Sequence, residues 1–296
     1  MGSQVFTFVV RFSLPVVLAV FCGTTTCAQE IGELFEPLET PWLLLNKPLQ
    51  SEEEAEQDHI ETDRDSFTPA TTTAGRGRVI FESAYSSIEN RGADSTHSFP
   101  EIITRIGITE RTELRVGWNY EIGGGGSVSG DAPGGLLEET GSSEESQMLY
   151  GIKTQVTDQS GWIPESACIL QGTTPTAGPE TASAFQLGYV FGWEILEKCK
   201  LDSSLRYVAA QEEGDHFNQW APSVVLKVQA AERWNVHGEY FGVFTENRAE
   251  NVSPQYFSPG VHYLITPDFE LGVRVGWGLN EDAANSFTNV GLGLRF

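Results

Sequence analysis

Charged side chains recur at alternate positions within several otherwise apolar stretches of this sequence. In residues 112–122, for example, Glu113, Arg115 and Glu121 alternate with apolar residues such as Leu114. Because successive side chains of a β-strand point to opposite faces, this spacing gathers the charges on one face. Two roles are open to such a face. Its charges could form a ladder that selects solutes along a pore, or they could pair across neighbouring strands, because an unpaired charge in a confined lumen is costly.

The same alternation marks a set of candidate lumen-lining residues in which acids and bases are nearly balanced. The whole chain, by contrast, carries 41 Asp and Glu against 18 Lys and Arg. We therefore place the excess negative charge in the N-terminal region and the connecting loops. The candidates are Glu82, Glu101, Arg105, Glu113, Arg115, Glu121, Lys153, Asp202, Arg206, Lys227, Glu239, Arg274 and Arg295.

The sequence offers little support for catalysis or for metal and cofactor binding. A hydrolase needs a Ser beside a His base and a third group that orients the base. His97 precedes Ser98 directly, but consecutive strand residues face opposite sides of a sheet. We predict no catalytic, metal or cofactor-binding residues, and a lipid hydrolase is the less favoured alternative.

Composition excludes two broad classes of protein. The chain has 296 residues and a formal charge of −23, and a nucleic-acid partner would require a basic face. After residue 28, no apolar run approaches the ~18 residues of a membrane helix. The 31 Gly and the many aromatic residues favour β-strands and tight turns.

Period-two alternation predicts twelve strands of about ten residues, the length that a tilted strand needs to cross a bilayer. The fold class is therefore all-β, an antiparallel up-and-down transmembrane barrel. The predicted strands are 78–86, 98–107, 112–122, 147–156, 161–171, 183–194, 199–209, 218–229, 234–245, 255–265, 269–280 and 286–296.

Connection lengths support the barrel independently. The even-numbered connections are short, whereas the odd-numbered ones are mostly longer, most of all the acidic Gly-rich loop 123–146. Short periplasmic turns and longer external loops are the rule in outer-membrane barrels. The predicted location is therefore the outer membrane, and the expected partners are its lipid and its assembly machinery. We expect a narrow channel rather than a filled interior.

The two ends of the chain carry separate signals. Residues 1–28 have Arg11, a short apolar stretch and a small-residue cleavage site, which predict a signal peptide. Residues 29–77 form an acidic leader, and for residues 29–60 we weigh a mobile periplasmic segment against a piece that docks at the barrel mouth. At the C-terminus, Leu292, Leu294 and Phe296 are typical of the signal that the assembly machinery reads.

Several motifs between residues 61 and 122 resemble one family of bacterial outer-membrane barrels. They are ETDRDSFT at 61–68, GRGR at 75–78, SFPE at 98–101, RIG at 105–107 and ELR at 113–115. The run resembles the start of the MetA-pathway of phenol degradation family, although Asp65-Ser66 stands where that family has Pro-Asp. Asp63, Arg64 and Asp65 then form a barrel-entrance motif, for which we favour a local ion pair over a lumen or mouth contact.

The resemblance implies an outer-membrane channel or transporter for passive movement of small solutes, with aromatic or apolar molecules as the implied class. A structural or adhesive barrel without a pore is the alternative. The solute, the state of the lumen and the oligomeric state stay open at this point.

Overall fold

A computed structural model of the chain describes residues 59–64, 66–123, 143–178, 182–212, 215–247 and 251–296. The predicted signal peptide, residues 29–58 of the leader, Asp65 and most of the Gly-rich loop lie outside these residues. Within the described ranges, no helix is long and apolar enough to cross a membrane.

The described part of the chain contains thirteen antiparallel strands. They are β1 (Val79–Glu89), β2 (Thr96–Gly107), β3 (Thr112–Gly123), β4 (Ser143–Thr157), β5 (Glu165–Ala177), β6 (Ala184–Leu196), β7 (Cys199–Glu212), β8 (Asp215–Ala231), β9 (Trp234–Gly242), β10 (Phe244–Glu246), β11 (Gln255–Thr266), β12 (Phe269–Gly278) and β13 (Ser286–Arg295). Strands β1 to β9 pair in sequence order, β9 pairs with β11, and β11 to β13 again pair in order. Strand β1 pairs with β13, which closes the sheet. The short β10 continues the line of β9 beyond Val243 and pairs with β8. The predicted twelve-stranded up-and-down barrel is therefore confirmed.

The connections differ from the predicted pattern in two places. Strands β7 and β8 extend so far that only residues 213–214 separate them, where a longer loop was expected. The fifth strand begins at Glu165 rather than at 161. Gly161 has a φ of 57° and turns the chain, and Ser160 and Ile163 pair with each other in an isolated bridge instead.

The two faces of the barrel have opposite chemistry. On β3, Leu114 and Val116 are 42% and 46% exposed, whereas Glu113 and Arg115 between them are buried. A soluble protein would bury the apolar residues and expose the charges. This inversion is expected when lipid surrounds the outer face and polar side chains fill the interior.

A stretch of chain before β1 lies inside the barrel. We call residues 59–74, without the undescribed Asp65, the lumenal segment. It begins at the end of the barrel where β1 starts and β13 finishes, the turn end, where the Ile60 N–H donates to the Pro267 carbonyl at 2.8 Å. Ile60 and Ala74, near its two ends, share one buried apolar cluster with Ile80 and Leu264. The segment therefore rises into the lumen and returns to the same end.

The apex of the lumenal segment is Phe67, which packs toward the opposite, loop end of the barrel. Its buried cluster includes Phe241, Tyr256 and Phe287 from the wall and Ala284 from the β12–β13 loop. This loop folds inward, where the Ala284 N–H donates to the Tyr256 hydroxyl at 3.0 Å. Phe67 and this loop therefore share one buried cluster near the loop end of the barrel.

Gly107 allows the lumenal segment to join β1, and replacing it is expected to weaken this junction. Gly75 and Gly77 have positive φ values of 78° and 76°, and the Gly77 N–H donates to the Gly107 carbonyl at 3.0 Å. A Cβ at residue 107 would overlap the Gly75 carbonyl. We expect Gly107→Ala to lower the free energy of unfolding by about 1–3 kcal/mol, as measured by urea titration in detergent. The matched control, Gly291→Ala, meets the Ala84 Cβ at an ordinary 3.4 Å. Equal losses in the two variants would contradict the prediction.

Candidate functional site

Asp63 lies at the centre of a buried cluster of charges contributed by three strands. Its carboxylate accepts a hydrogen bond from Lys153 Nζ at 3.0 Å, contacts Arg115, and lies 3.5 Å from Arg105 Nη1. All four side chains are fully buried. Asp63 also accepts the Ala70 N–H at 3.0 Å, which ties together the rising and returning halves of the lumenal segment. The partners of Asp63 in the wall are thus long-range, on β2, β3 and β4, where a local ion pair had been favoured.

Two wall carboxylates hold the backbone of the lumenal segment. Glu82 accepts the N–H groups of Asp63 and Arg64 at 2.8 and 2.9 Å. Glu113 accepts the Ala74 N–H at 2.7 Å. A buried carboxylate that accepts backbone N–H groups makes strong, charge-assisted hydrogen bonds. These two acids therefore fix both halves of the segment to β1 and β3.

Arg105 connects the wall acids to the segment. Its Nε donates to Glu113 at 2.9 Å, and its Nη1 donates to Glu82 at 3.2 Å. The same guanidinium donates to the backbone carbonyls of Glu61 and Thr72 at 2.8 and 3.0 Å. One fully buried side chain thus bridges the two halves of the lumenal segment and two wall carboxylates.

Two lysines on the opposite wall form a second ionic cluster. Lys200 Nζ lies 3.2 Å from the Glu61 carboxylate and donates to the Thr71 hydroxyl at 2.9 Å. Lys227 Nζ lies 3.6 Å from Glu61 and 3.6 Å from Asp202. The lumenal segment therefore has ionic contacts with β7 and β8 as well as with β2 to β4.

The cations around the segment change the acidity of its carboxyl groups. Burial alone would raise the pKa of Asp63, but Arg105, Lys153 and Arg115 outweigh it and hold the pKa below its ordinary value. For Glu61, Lys200 and Lys227 likewise outweigh burial and lower the pKa. Both groups are therefore ionised at neutral pH when the segment is in place.

The apex of the lumenal segment is held by Glu239 and Arg206. Glu239 accepts the N–H groups of Phe67 and Thr68 at 2.8 and 2.7 Å, and it also accepts the Thr68 hydroxyl at 2.7 Å. Arg206 Nη2 donates to the Phe67 carbonyl at 2.9 Å. The Phe67 ring stacks on Phe241 with 4.1 Å between centroids.

A third group of contacts borders a small cavity beside β12 and β13. Arg64 Nη1 lies 3.1 Å from Glu101, and the Thr62 hydroxyl donates to Glu270 at 3.0 Å. Arg274 Nη1 lies 3.5 Å from Glu239. Thr62, Arg64, Glu270 and Arg274 line this cavity together with His262. Polar side chains of the lumenal segment and of the wall therefore meet around this cavity.

The remaining predicted site residues lie away from these clusters. Glu121 is half-buried on β3 beside Glu145 of β4. Arg295 lies at the turn end and pairs with Asp268 at 2.7 Å. Leu292 and Leu294 are half-exposed, and Phe296 is 74% exposed. Their reading as an assembly signal stays a prediction.

Sequence reasoning missed most of the contacts made by the lumenal segment. Phe67 and Thr68 were identified only as positions of the family motif, and Thr62 had no assigned role. The wall pair His237 and His262 was also missed; their ring nitrogens lie 2.8 Å apart. The family motif at 61–68 was the one signal that could have marked Thr62, Phe67 and Thr68.

The closed barrel, its apolar outer face and its charged interior define an outer-membrane β-barrel. Its turn end is then the periplasmic end and its loop end is external. The chain belongs to the family described as Putative MetA-pathway of phenol degradation, whose profile matches residues 62–296. The predicted family is therefore confirmed, over more of the chain than the quoted motifs covered.

Solved structures with the same fold include several outer-membrane proteins. The COG4313 outer membrane channel from Pseudomonas putida F1 is 9% identical, with a TM-score of 0.54 over 76% of this chain and 98% of that chain. The translocator domain of the autotransporter NalP from Neisseria meningitidis is 12% identical, with a TM-score of 0.47 over 82% and 92%. A comparison with curated proteins gave no match.

Proposed function

We propose that this protein is an outer-membrane channel for small solutes, closed at rest by its own lumenal segment. The observation that carries the proposal is the way in which the lumen is filled. The blocking group is a loop of chain held by ion pairs and hydrogen bonds, which can break and re-form. A barrel that served only as a wall could be filled by wall side chains alone, as eight-stranded barrels are.

The barrel size and the structural likeness support the same proposal. Twelve strands fall between the filled eight-stranded barrels and the open sixteen-stranded porins. The neighbour described above with a TM-score of 0.54 is named an outer membrane channel. Its low identity limits that support to the fold.

The alternatives have weaker support. A structural or adhesive barrel would not need so many buried wall charges in contact with the lumenal segment. A lipid hydrolase would need a His base beside a Ser nucleophile. The one His that directly precedes a Ser, His97, instead contacts the Tyr85 hydroxyl at 2.8 Å, and His237 and His262 contact each other. We therefore propose a non-enzymatic role, with outer-membrane lipid, the assembly machinery and a small solute as partners. A signal peptide at 1–28 is part of this proposal.

A disulfide across the lumen would test the proposal, because it can lock the segment in place reversibly. The hydroxyl oxygens of Thr68 and Ser223 lie 2.8 Å apart, which suits a disulfide between Thr68→Cys and Ser223→Cys. Cys168 and Cys199, which are not joined to each other in a disulfide, would be changed to Ser in this variant. We expect discrete conductance steps in a planar bilayer when the pair is reduced and silence when it is oxidised.

The single Thr68→Cys change in the same background is the control, since it loses the Thr68 hydroxyl but cannot be locked. Its conductance should not respond to oxidation. If the unchanged, the reduced and the control chains all fold but show no conductance, the proposal of a channel is wrong. Equal conductance of the oxidised and reduced pair would leave a channel but show that solutes pass beside the segment.

A further inference from the structure

The ring of Phe67 occupies a flat slot between two groups of the barrel wall. Phe241 lies parallel to it, with 4.1 Å between centroids and 10° between ring planes. The Arg206 guanidinium carbon lies over the ring at 4.0 Å from its centroid. Two flat groups this close to one centroid would collide on the same face, so they hold the ring from opposite sides. This arrangement combines ring stacking with a cation–π contact.

The slot also binds the polar atoms next to the ring. Arg206 donates to the Phe67 carbonyl at 2.9 Å, and Glu239 accepts the Phe67 N–H at 2.8 Å. Arg274 lies 3.5 Å from Glu239 and 5.4 Å from the Phe287 ring centroid. When Phe67 leaves, the slot keeps the Phe241 ring as an aromatic platform and the guanidinium of Arg206 as a hydrogen-bond donor.

We propose that this slot is a binding site for small aromatic carboxylates and that Phe67 is its resident occupant. The ring of such a ligand takes the place of the Phe67 ring between Phe241 and Arg206. Its carboxylate takes the hydrogen bond that Arg206 now gives to the Phe67 carbonyl. The inference rests on the proposed function, because the ligand reaches the slot from an open lumen, and it names the solute class of that channel.

Competition between Phe67 and the ligand makes the proposal measurable. A ligand that binds only when the slot is empty has an apparent affinity reduced by the fraction of time for which the slot is empty. Shortening Phe67 removes the competitor without touching the wall. Affinity for an aromatic carboxylate should therefore rise in Phe67→Ala, and less in Phe67→Leu, which keeps apolar volume in the slot.

The test is calorimetric titration of the purified full chain in detergent, with 3-phenylpropionate as the probe, because two carbons separate its ring from its carboxylate as in Phe67, and 3-cyclohexylpropionate as its non-aromatic match. We expect measurable 3-phenylpropionate binding to the unchanged chain and at least tenfold tighter binding to Phe67→Ala. 3-Phenylpropionate should bind at least tenfold better than 3-cyclohexylpropionate. Adding Arg206→Gln to Phe67→Ala should remove that preference, whereas Arg111→Gln, at an exposed turn, should leave it unchanged.

Three results would overturn the proposal. These are equal affinity for the two carboxylates, no effect of Arg206→Gln, or binding to Phe67→Ala with none to the unchanged chain at the highest soluble concentration. The last result would mean that the substitution had merely created a cavity. Because binding is measured without a membrane potential or conductance, failure here leaves the conductance test untouched. If the bilayers show no conductance but the ligand binds specifically, the channel proposal is wrong and the binding-site proposal stands.

Discussion

A chain carrying Asp63→Asn is expected to conduct for most of the recording time in a planar bilayer, whereas the unchanged chain is expected to open rarely. The substitution keeps the shape of the side chain but removes its charge. Arg105, Arg115 and Lys153 would then face only Glu82 and Glu113, three cations against two anions. Removing one member of a buried ionic cluster costs roughly 3–5 kcal/mol. Each 1.4 kcal/mol is a factor of about ten, so the ratio of docked to undocked segment should fall by more than about 100-fold.

The control for this prediction is the same substitution in an exposed ion pair. Asp158 pairs with Arg111 at 2.8 Å, but the two side chains are 69% and 44% exposed. Exposed pairs contribute roughly 0–1 kcal/mol, so Asp158→Asn should leave the open fraction close to that of the unchanged chain. A second readout is labelling of Thr71→Cys by a water-soluble thiol reagent, which should be fast with Asp63→Asn and slow without it. If Asp63→Asn stays as closed and as protected as Asp158→Asn, the segment is not held by this cluster.

The barrel could be predicted from the sequence because its signals are local. Alternation with period two assigns each residue of a strand to one face, and it placed Glu113, Arg115 and Lys153 on the buried face. Turn residues between the strands gave the order of pairing, since neighbours in an up-and-down barrel are consecutive. The errors arose where strand length depends on pairing rather than on local pattern, as in the two-residue connection between β7 and β8.

The position of the lumenal segment could not be predicted because its contacts are distant in sequence. Glu61 meets Lys200 across 139 positions, and Phe67 meets Glu239 across 172. An acidic stretch without periodicity is normally solvated. Nothing in the local sequence of residues 61–74 shows that cations of the barrel wall bind this stretch. The near balance of acids and bases in the predicted lining was informative in one respect. It was consistent with pairing between neighbouring strands, but it could not show that residues 61–74 supply part of the pairing.

An arginine on the outer face should destabilise the barrel by an amount that depends on its depth in the bilayer. Val273 lies at the middle of β12, pairs with Val261 and Val290, and is 46% exposed. Val156 lies at the turn end of β4 and is 51% exposed. The two residues therefore match in type and exposure and differ in depth.

An arginine costs roughly 2–4 kcal/mol at the bilayer midplane and about 0–1 near the interface, where its side chain reaches the headgroups. We expect Val273→Arg to lower the free energy of unfolding in lipid vesicles by the larger amount and Val156→Arg by the smaller, in reversible urea titrations. In detergent micelles, which lack a fixed midplane, the difference should shrink. Equal costs in vesicles would mean that lipid does not surround β12 at its middle. Since both side chains point away from the lumen, the docked fraction of the lumenal segment should be the same in both variants, so a change in it would show that the wall and the segment are coupled.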